Sequence, residues 1–335
     1  MSNLKNLYQL LGVDPKAPDF VVKAAYRAHM LNGGHEDVGG SFSKGVSFNK
    51  AKEVLLDPVN RAAYDKAWRK QNETQIGNYQ VLEQIGEGGF GVTYKAREVT
   101  SGALACLKQN IHISSDDIVI MERESEILSR LHHHSLPGYR SFFRLEDGSC
   151  VLAMSYVEGF SLDKIVEKRR TEGKVLEPEH AAWMTQRLLN ALNYMHYHGI
   201  VHGDVKPANI MIKAREHNAI LVDFGFSTLR PKKGVKPEGY TEVFAAPEIL
   251  SLKPPLRQSD LYSLGVTMIY ALGGNPATHW YPDSVPKPMQ EFFNEFLNPV
   301  PLKRPVWDKV DLVKKISTLR KSIFGRSQSS LELVV

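Results

Sequence analysis

The sequence has 335 residues, 42% hydrophobic and 24% charged, the balance of a folded chain and not of a disordered or membrane-embedded one, and long enough to predict two domains. The 42 basic residues exceed the 37 acidic ones by five, spread thinly along the chain, which argues against a nucleic-acid partner. The two cysteines, Cys106 and Cys150, exclude a disulfide framework and point to a reducing compartment, the cytoplasm.

No apolar run approaches the roughly twenty residues of a membrane span, and the opening M-S-N-L-K-N-L-Y lacks the apolar core of a signal peptide. Residues 4–68 read as helical. Apolar positions recur at Val21, Val22, Ala25 and Tyr26 and again at Ala51, Val54 and Leu55, interrupted by N-G-G-H-E-D-V-G-G, which predicts a small helical hairpin around a glycine-rich loop. A polar stretch follows, with a linker at 71–78.

From Tyr79 the pattern changes to short alternating runs at 79–85, 91–96 and 104–108, predicting strands. The run I-G-E-G-G-F-G-V-T-Y puts Gly86, Gly88 and Gly91 in a strand-turn-strand, where missing side chains let backbone N–H groups approach a polyphosphate. A dinucleotide-binding loop would open a helix after the third glycine, whereas Val92, Thr93 and Tyr94 continue as a strand. Lys108 follows on a strand in A-C-L-K, and Glu124 in the helical run M-E-R-E-S-E-I-L-S-R-L is the acidic partner that a buried ammonium needs.

Beyond Glu177 helical patterns dominate, with Trp183, Leu188, Leu192 and Met195 near one helix face. Strands first and helices after predict an α+β protein of two lobes with a cleft between them. The segment V-H-G-D-V-K-P-A-N-I-M-I gathers Asp204, Lys206 and Asn209, a base, a cation and a metal-binding amide, within six residues. The following strand ends in D-F-G, where the Asp223 carboxylate suits a hard cation bridging phosphates.

In order, G-x-G-x-x-G, A-C-L-K, H-G-D-V-K-P-A-N, D-F-G and A-A-P-E resemble the eukaryotic-type protein kinase family over about Tyr79 to Leu319. The resemblance implies a bilobal fold, a strand-rich N-lobe on a helical C-lobe, that uses ATP and Mg²⁺. It implies that Asp204 accepts or orients the proton of a substrate hydroxyl, that Lys206 steadies the γ-phosphate, that Asn209 and Asp223 hold Mg²⁺, and that Lys108, paired with Glu124, grips the α- and β-phosphates. The hinge would be M-S-Y-V-E-G, with Met154 as gatekeeper and the backbone of Ser155 and Val157 facing adenine. Thr93 and Cys106 would touch the base, with Met211 beneath it. Glu248 would pair with Arg304, and Asp260 would brace the catalytic loop.

Lys206 and Thr241 resemble the serine/threonine branch, so the expected substrate is a protein hydroxyl. A nucleotide-binding scaffold without transfer is an alternative that a phosphate-transfer assay separates; a small-molecule kinase is disfavoured by A-P-E and Thr241. Cys106 replaces the family's usual alanine and is read as a packing residue. Gly203 replaces the arginine that commonly precedes the catalytic aspartate, which predicts activity without phosphorylation of the activation loop. Ser227, Thr228 and the serines of G-R-S-Q-S-S-L-E are candidate autophosphorylation sites, while residues 320–335 are expected to be a tail. The basic runs at 168–170 and at Lys232, Lys233 and Lys236 read as solvated faces.

Residues 1–70 resemble a J domain in L-Y-Q-L-L-G-V, V-K-A-A-Y-R-A-H-M and A-K-E-V-L-L-D-P-V-N-R-A-A-Y-D-K-A. That family's H-P-D motif is His35, Glu36 and Asp37 here. Glutamate in place of proline removes a fixed φ and adds charge. The expected role is therefore docking or regulation of the kinase, in preference to stimulating a heat-shock ATPase chaperone, with Lys23 and Arg27 as contacts to either partner.

Overall fold

A computed structural model describes residues 7–15, 17–30, 42–72, 75–89, 91–110, 114–326 and 333. They divide into two units, Met1–Ile76 and Gly77–Val335. In the first, helices α1 (Leu7–Leu11), α2 (Asp19–His29), α3 (Phe42–Leu56) and α4 (Pro58–Asn72) precede a short strand, β1 (Gln75–Ile76). Tyr8, Leu11, Val22, Ala51 and Leu55 share one buried core, the helical spacing of those positions turning them to one side.

Within the stretch read as helical, α2 packs on α3 as a hairpin, and α1 and α4 also pack on it, so among the described residues the unit has four helices in place of a simple hairpin. Polar contacts tie the ends together. The Tyr64 hydroxyl accepts from Leu7 N at 2.8 Å. Arg61 donates to the Tyr8 hydroxyl, to Asp19 and to the carbonyls of Pro15 and Ala17. His35, Glu36 and Asp37 lie outside the described residues.

In the second unit, β2 (Tyr79–Gly88), β3 (Gly91–Glu98), β4 (Leu104–Gln109), β5 (Tyr139–Arg144) and β6 (Cys150–Ser155) form an antiparallel sheet in the order β2-β3-β4-β6-β5. Helix α5 (Ser115–Ser129) packs against β5 and β6; its N-cap Ser114 side chain accepts from Asp117 N, satisfying one of the free N–H groups of the first turn.

The rest is mainly helical: β7 (Phe160–Ser161), α6 (Leu162–Thr171), α7 (Pro178–Tyr197), β8 (Ile200–Val201), β9 (Ile210–Lys213), β10 (Asn218–Leu221), β11 (Thr228–Leu229), α8 (Pro247–Leu250), α9 (Arg257–Ala271), α10 (Lys287–Asn294) and α11 (Leu312–Phe324). Trp183, Leu188, Leu192 and Met195 of α7 are all buried. Helix α9 is buried almost all round, which makes it the central strut of the helical half. Helix α11 packs on α7, so residues 320–324, expected to be tail, are helix. Beyond it Leu333 joins the core.

Candidate active site

Two short antiparallel ladders assemble the site. The β9–β10 ladder pairs Ile210 with Leu221, and the pairing runs on through Val222 N to Asn209 O at 2.9 Å. Asn209 is thereby set beside the residue that precedes Asp223. The β8–β11 ladder pairs Val201 with Thr228, and next to it the Ser227 hydroxyl donates to His202 O at 3.0 Å. The loop 202–209 is thus held at both ends against the strand flanking D-F-G.

Asp260, on α9, fixes that loop from below, its carboxylate accepting from His202 N at 2.8 Å and Gly203 N at 2.9 Å. His196 Nε2 lies 2.8 Å from the same carboxylate, while its Nδ1 accepts from Trp307 Nε1 at 2.8 Å. Nδ1 being the acceptor, the proton sits on Nε2 and donates to Asp260. Glu248 and Arg304 form a bidentate buried pair at 2.7 and 2.8 Å, as expected of a scaffold contact.

Asp204 is buried, and its carboxylate meets three donors. Oδ1 accepts from Thr241 Oγ1 at 2.8 Å; Oδ2 accepts from Lys206 Nζ at 2.7 Å and Asn209 Nδ2 at 2.9 Å. Lys206 also donates to Thr241 Oγ1 at 2.9 Å. Thr241, a branch marker in the sequence, is therefore part of the site. Its spacing from Asp204, 37 positions along the chain, gave no local signal of that contact.

Lys108 reaches the site because alternation on β4 turns Ala105 and Leu107 into the core and Cys106 and Lys108 to the other face. Its Nζ lies 3.0 and 2.8 Å from the two Glu124 oxygens and 2.8 Å from Asp223 Oδ1. Glu124 also accepts Phe224 N–H at 3.2 Å. Burial raises the pKa of Glu124, against the Lys108 ammonium that lowers it. Burial works against the Lys108 charge, but the two carboxylates outweigh it and raise the pKa of the ammonium. Two acids around one cation leave a local negative excess, the electrostatic setting a divalent cation needs.

The amide oxygen of Asn209 and the Oδ2 atom of Asp223 make no hydrogen bond among the described residues. Both are hard oxygen donors, and Mg²⁺ takes one or two such protein ligands together with substrate phosphates and water. The donor set therefore fits the ion.

On the sheet, Thr93 pairs with Lys108, and Cys106 with both Lys95 and Met154. Cross-strand partners share a face, so Thr93, Cys106, Lys108 and Met154 line one side of the sheet. Ser155, at the end of β6, and Val157 follow Met154, and Met211 lies half-buried on β9 of the other lobe. Burial pushes the Cys106 thiol up to about 12, so it is protonated and behaves as a packing residue. A cleft-directed electrophile is expected to label it roughly a hundredfold more slowly at pH 7.5 than an unperturbed thiol, after allowing for the greater nucleophilicity of its thiolate. Intact-mass kinetics would measure this; labelling at the free-thiol rate would contradict it.

The glycines divide by role. A Cβ at Gly91 would lie 2.2 Å from the Gln109 carbonyl oxygen, so close approach of the neighbouring strand requires that glycine, a reason internal to the sheet. Gly86 and Gly88 meet no such obstacle and leave the hairpin open above the cleft; the pairing of Gly88 with Gly91 shows the strand-turn-strand. Gly203 has φ +82°, and a Cβ there would lie 2.6 Å from Phe226 O. Gly203→Ala is accordingly expected to lose about 1–3 kcal/mol of stability, read as a lower thermal midpoint; an unchanged midpoint would show that the loop relaxes freely.

Ser227 and Thr228, expected to be accessible hydroxyls, are buried, and the Ser227 hydroxyl is committed to His202 O. That corrects the sequence expectation: the β8–β11 ladder draws this stretch into the core. The serines at 327–330 lie outside the described residues. Arg123 and Glu238, 2.5 Å apart, were not singled out in the sequence, where nothing relates the two positions.

The family model of the protein kinase domain matches residues 79–324. The chain is similar to serine/threonine-protein kinase TIO of Arabidopsis thaliana, 30% identical over 258 residues that cover 69% of this chain and 18% of that protein. It is also similar to serine/threonine-protein kinases D and B of Synechocystis sp., 30% identical over 60% of this chain and 42% of the former, and 31% identical over 59% of this chain and 37% of the latter. The chain spans less than half the length of each of these relatives. With the protein kinase domain model matching most of its length, the chain belongs to the protein kinase family.

Proposed function

We propose that the chain transfers the γ-phosphate of ATP to serine or threonine hydroxyls of protein substrates. The observation that carries this reading is the Asp204 carboxylate held by Lys206, Asn209 and Thr241, in the same cleft as the Lys108–Glu124–Asp223 cluster. Asp204 acts as the base that accepts or orients the substrate hydroxyl proton. Lys206 sits on the same carboxylate oxygen and steadies the transferring phosphoryl group. Lys108 grips the α- and β-phosphates and is kept charged by Glu124.

Asn209 and Asp223 are the residues that would hold Mg²⁺, which neutralises charge on the phosphates when bound. Thr93, Cys106, Met154, Met211 and the backbone of Ser155 and Val157 form the adenine site. The names of the similar kinases and the Thr241 contact support serine/threonine specificity. Incubation with labelled ATP, Mg²⁺ and a generic protein substrate tests the reading. Labelled phosphoserine or phosphothreonine is the expected product, and tight ATP binding without transfer would replace the reading with that of a nucleotide-binding scaffold.

Residues 1–70 serve, in the same proposal, as a J-like docking or regulatory module in the cytoplasm. Lys23 and Arg27 lie exposed one turn apart on α2, which suits contact with a protein partner. If the full chain accelerated the ATPase of a heat-shock chaperone, co-chaperone action would displace docking as the role of this module.

A further inference from the structure

Between Asp223 and Glu248 the serines and threonines are Ser227, Thr228 and Thr241. The first two are buried, and the third is hydrogen-bonded to Asp204 and Lys206. No described serine or threonine of this segment stands free to carry an activating phosphate. A carboxylate of the segment is nonetheless anchored to α5. Arg123 Nη1 lies 2.5 Å from Glu238 Oε1, with side chains 23% and 37% exposed, and Arg123 Nη2 donates to Gly225 O at 3.2 Å.

One guanidinium thus ties residue 238 to the D-F-G turn. Arg123 immediately precedes Glu124, whose carboxylate holds Lys108 and accepts Phe224 N–H. Helix α5 therefore grips the turn twice, through an acceptor at Phe224 and a donor at Gly225. The residue after Glu238 is also fixed: a Cβ on Gly239 would lie 2.3 Å from the Phe226 ring, so the backbone rests on that side chain.

Resting on the kinase reading above, we propose that Glu238 is a resident carboxylate that, through Arg123, holds the segment to α5 and keeps Glu124 on Lys108, so that activity needs no phosphorylation of the segment. A phosphate brings nearly two negative charges and several acceptor oxygens, and usually meets several cations. Here a single arginine faces a single carboxylate, and Gly203 supplies no second cation. Arg123 and Glu238 are positioning residues that act through Glu124 and the D-F-G turn.

The test compares phosphatase-treated full-length chain with Glu238→Gln, Arg123→Met and the double variant, reading kcat, KM for ATP and the thermal midpoint. Wild type is expected to keep its rate after phosphatase. Glu238→Gln is expected to lower kcat/KM for ATP roughly tenfold, as loss of one charge-assisted contact allows, with KM rising because Lys108 loses its support. Loss of folded enzyme alone would lower kcat and leave KM unmoved. The double variant is expected to be no worse than Arg123→Met, since two residues acting as a pair are not additive.

Phosphatase inactivation of wild type would overturn the proposal, and that arm needs no variant to fold. So would a Glu238→Gln variant with wild-type kinetics, or losses that multiply in the double variant. Wild type that transfers no phosphate in any state would overturn the kinase reading itself, and the proposal with it.

Discussion

Asp204→Asn is expected to lower phosphate transfer by about 10² to 10⁴, the range for removing a positioned base, while ATP affinity stays close to wild type. The carboxylate accepts from Thr241, Lys206 and Asn209 at once. An amide of the same shape keeps one acceptor oxygen and turns an N–H₂ group toward donors. It can neither take the proton nor satisfy all three partners. The Lys108–Glu124–Asp223 cluster makes no hydrogen bond to the Asp204 side chain, so nucleotide binding should survive. Single-turnover transfer together with an ATP-binding titration separates the two effects. A variant that transfers at the wild-type rate would remove Asp204 from the chemistry.

Lys108→Met should be equally damaging to turnover and, unlike Asp204→Asn, should make stability depend on pH. Lys108 is the principal group lowering the pKa of Glu124, while burial and Asp223 raise it. Without the ammonium, the folded-state pKa of Glu124 rises further above its unfolded value. Such a group contributes stability that is fully present below the unfolded pKa, near 4.3, and is lost as pH rises through the folded value. At pH 8 the variant holds an uncompensated buried carboxylate, with an expected cost of about 3–5 kcal/mol. At pH 5 protonation relieves much of it. Thermal midpoints at both pH values decide the matter: the gap between wild type and variant should widen from pH 5 to pH 8, and an equal gap at both would mean that Glu124 finds another partner.

Much of the active site was legible because its parts lie in short runs. Asp204, Lys206 and Asn209 fall within one loop, and their mutual hydrogen bonds follow from local spacing. Gly203 could be noted as an unusual residue, yet the reason a side chain is excluded there, the Phe226 carbonyl, is a contact 23 positions away. Cys106 could be placed beside Lys108 on a strand, but the burial that pushes its thiol pKa up comes from the packing of the sheet. Ser227 and Thr228 read as candidate modification sites because they are hydroxyls beside D-F-G in a segment expected to be mobile; the pairing of Thr228 with Val201 and the Ser227 bond to His202 O take them out of water.

By itself the sequence determined the helical character of the first unit, the strand-rich and helix-rich halves of the second, and which residues are candidates for handling phosphate. Those features arise from periodicity and from chemistry confined to a few neighbouring positions. Beyond the Asp260 contact, which the family resemblance implied, only the tertiary structure decided which distant groups complete the site: Thr241 on Asp204 and Glu238 on Arg123. Each is a polar contact between segments far apart in the chain, where local propensity carries no information. Only the strand ladders and the packing of α5 and α9 bring such partners within hydrogen-bond reach and shield them from water enough for the contact to matter.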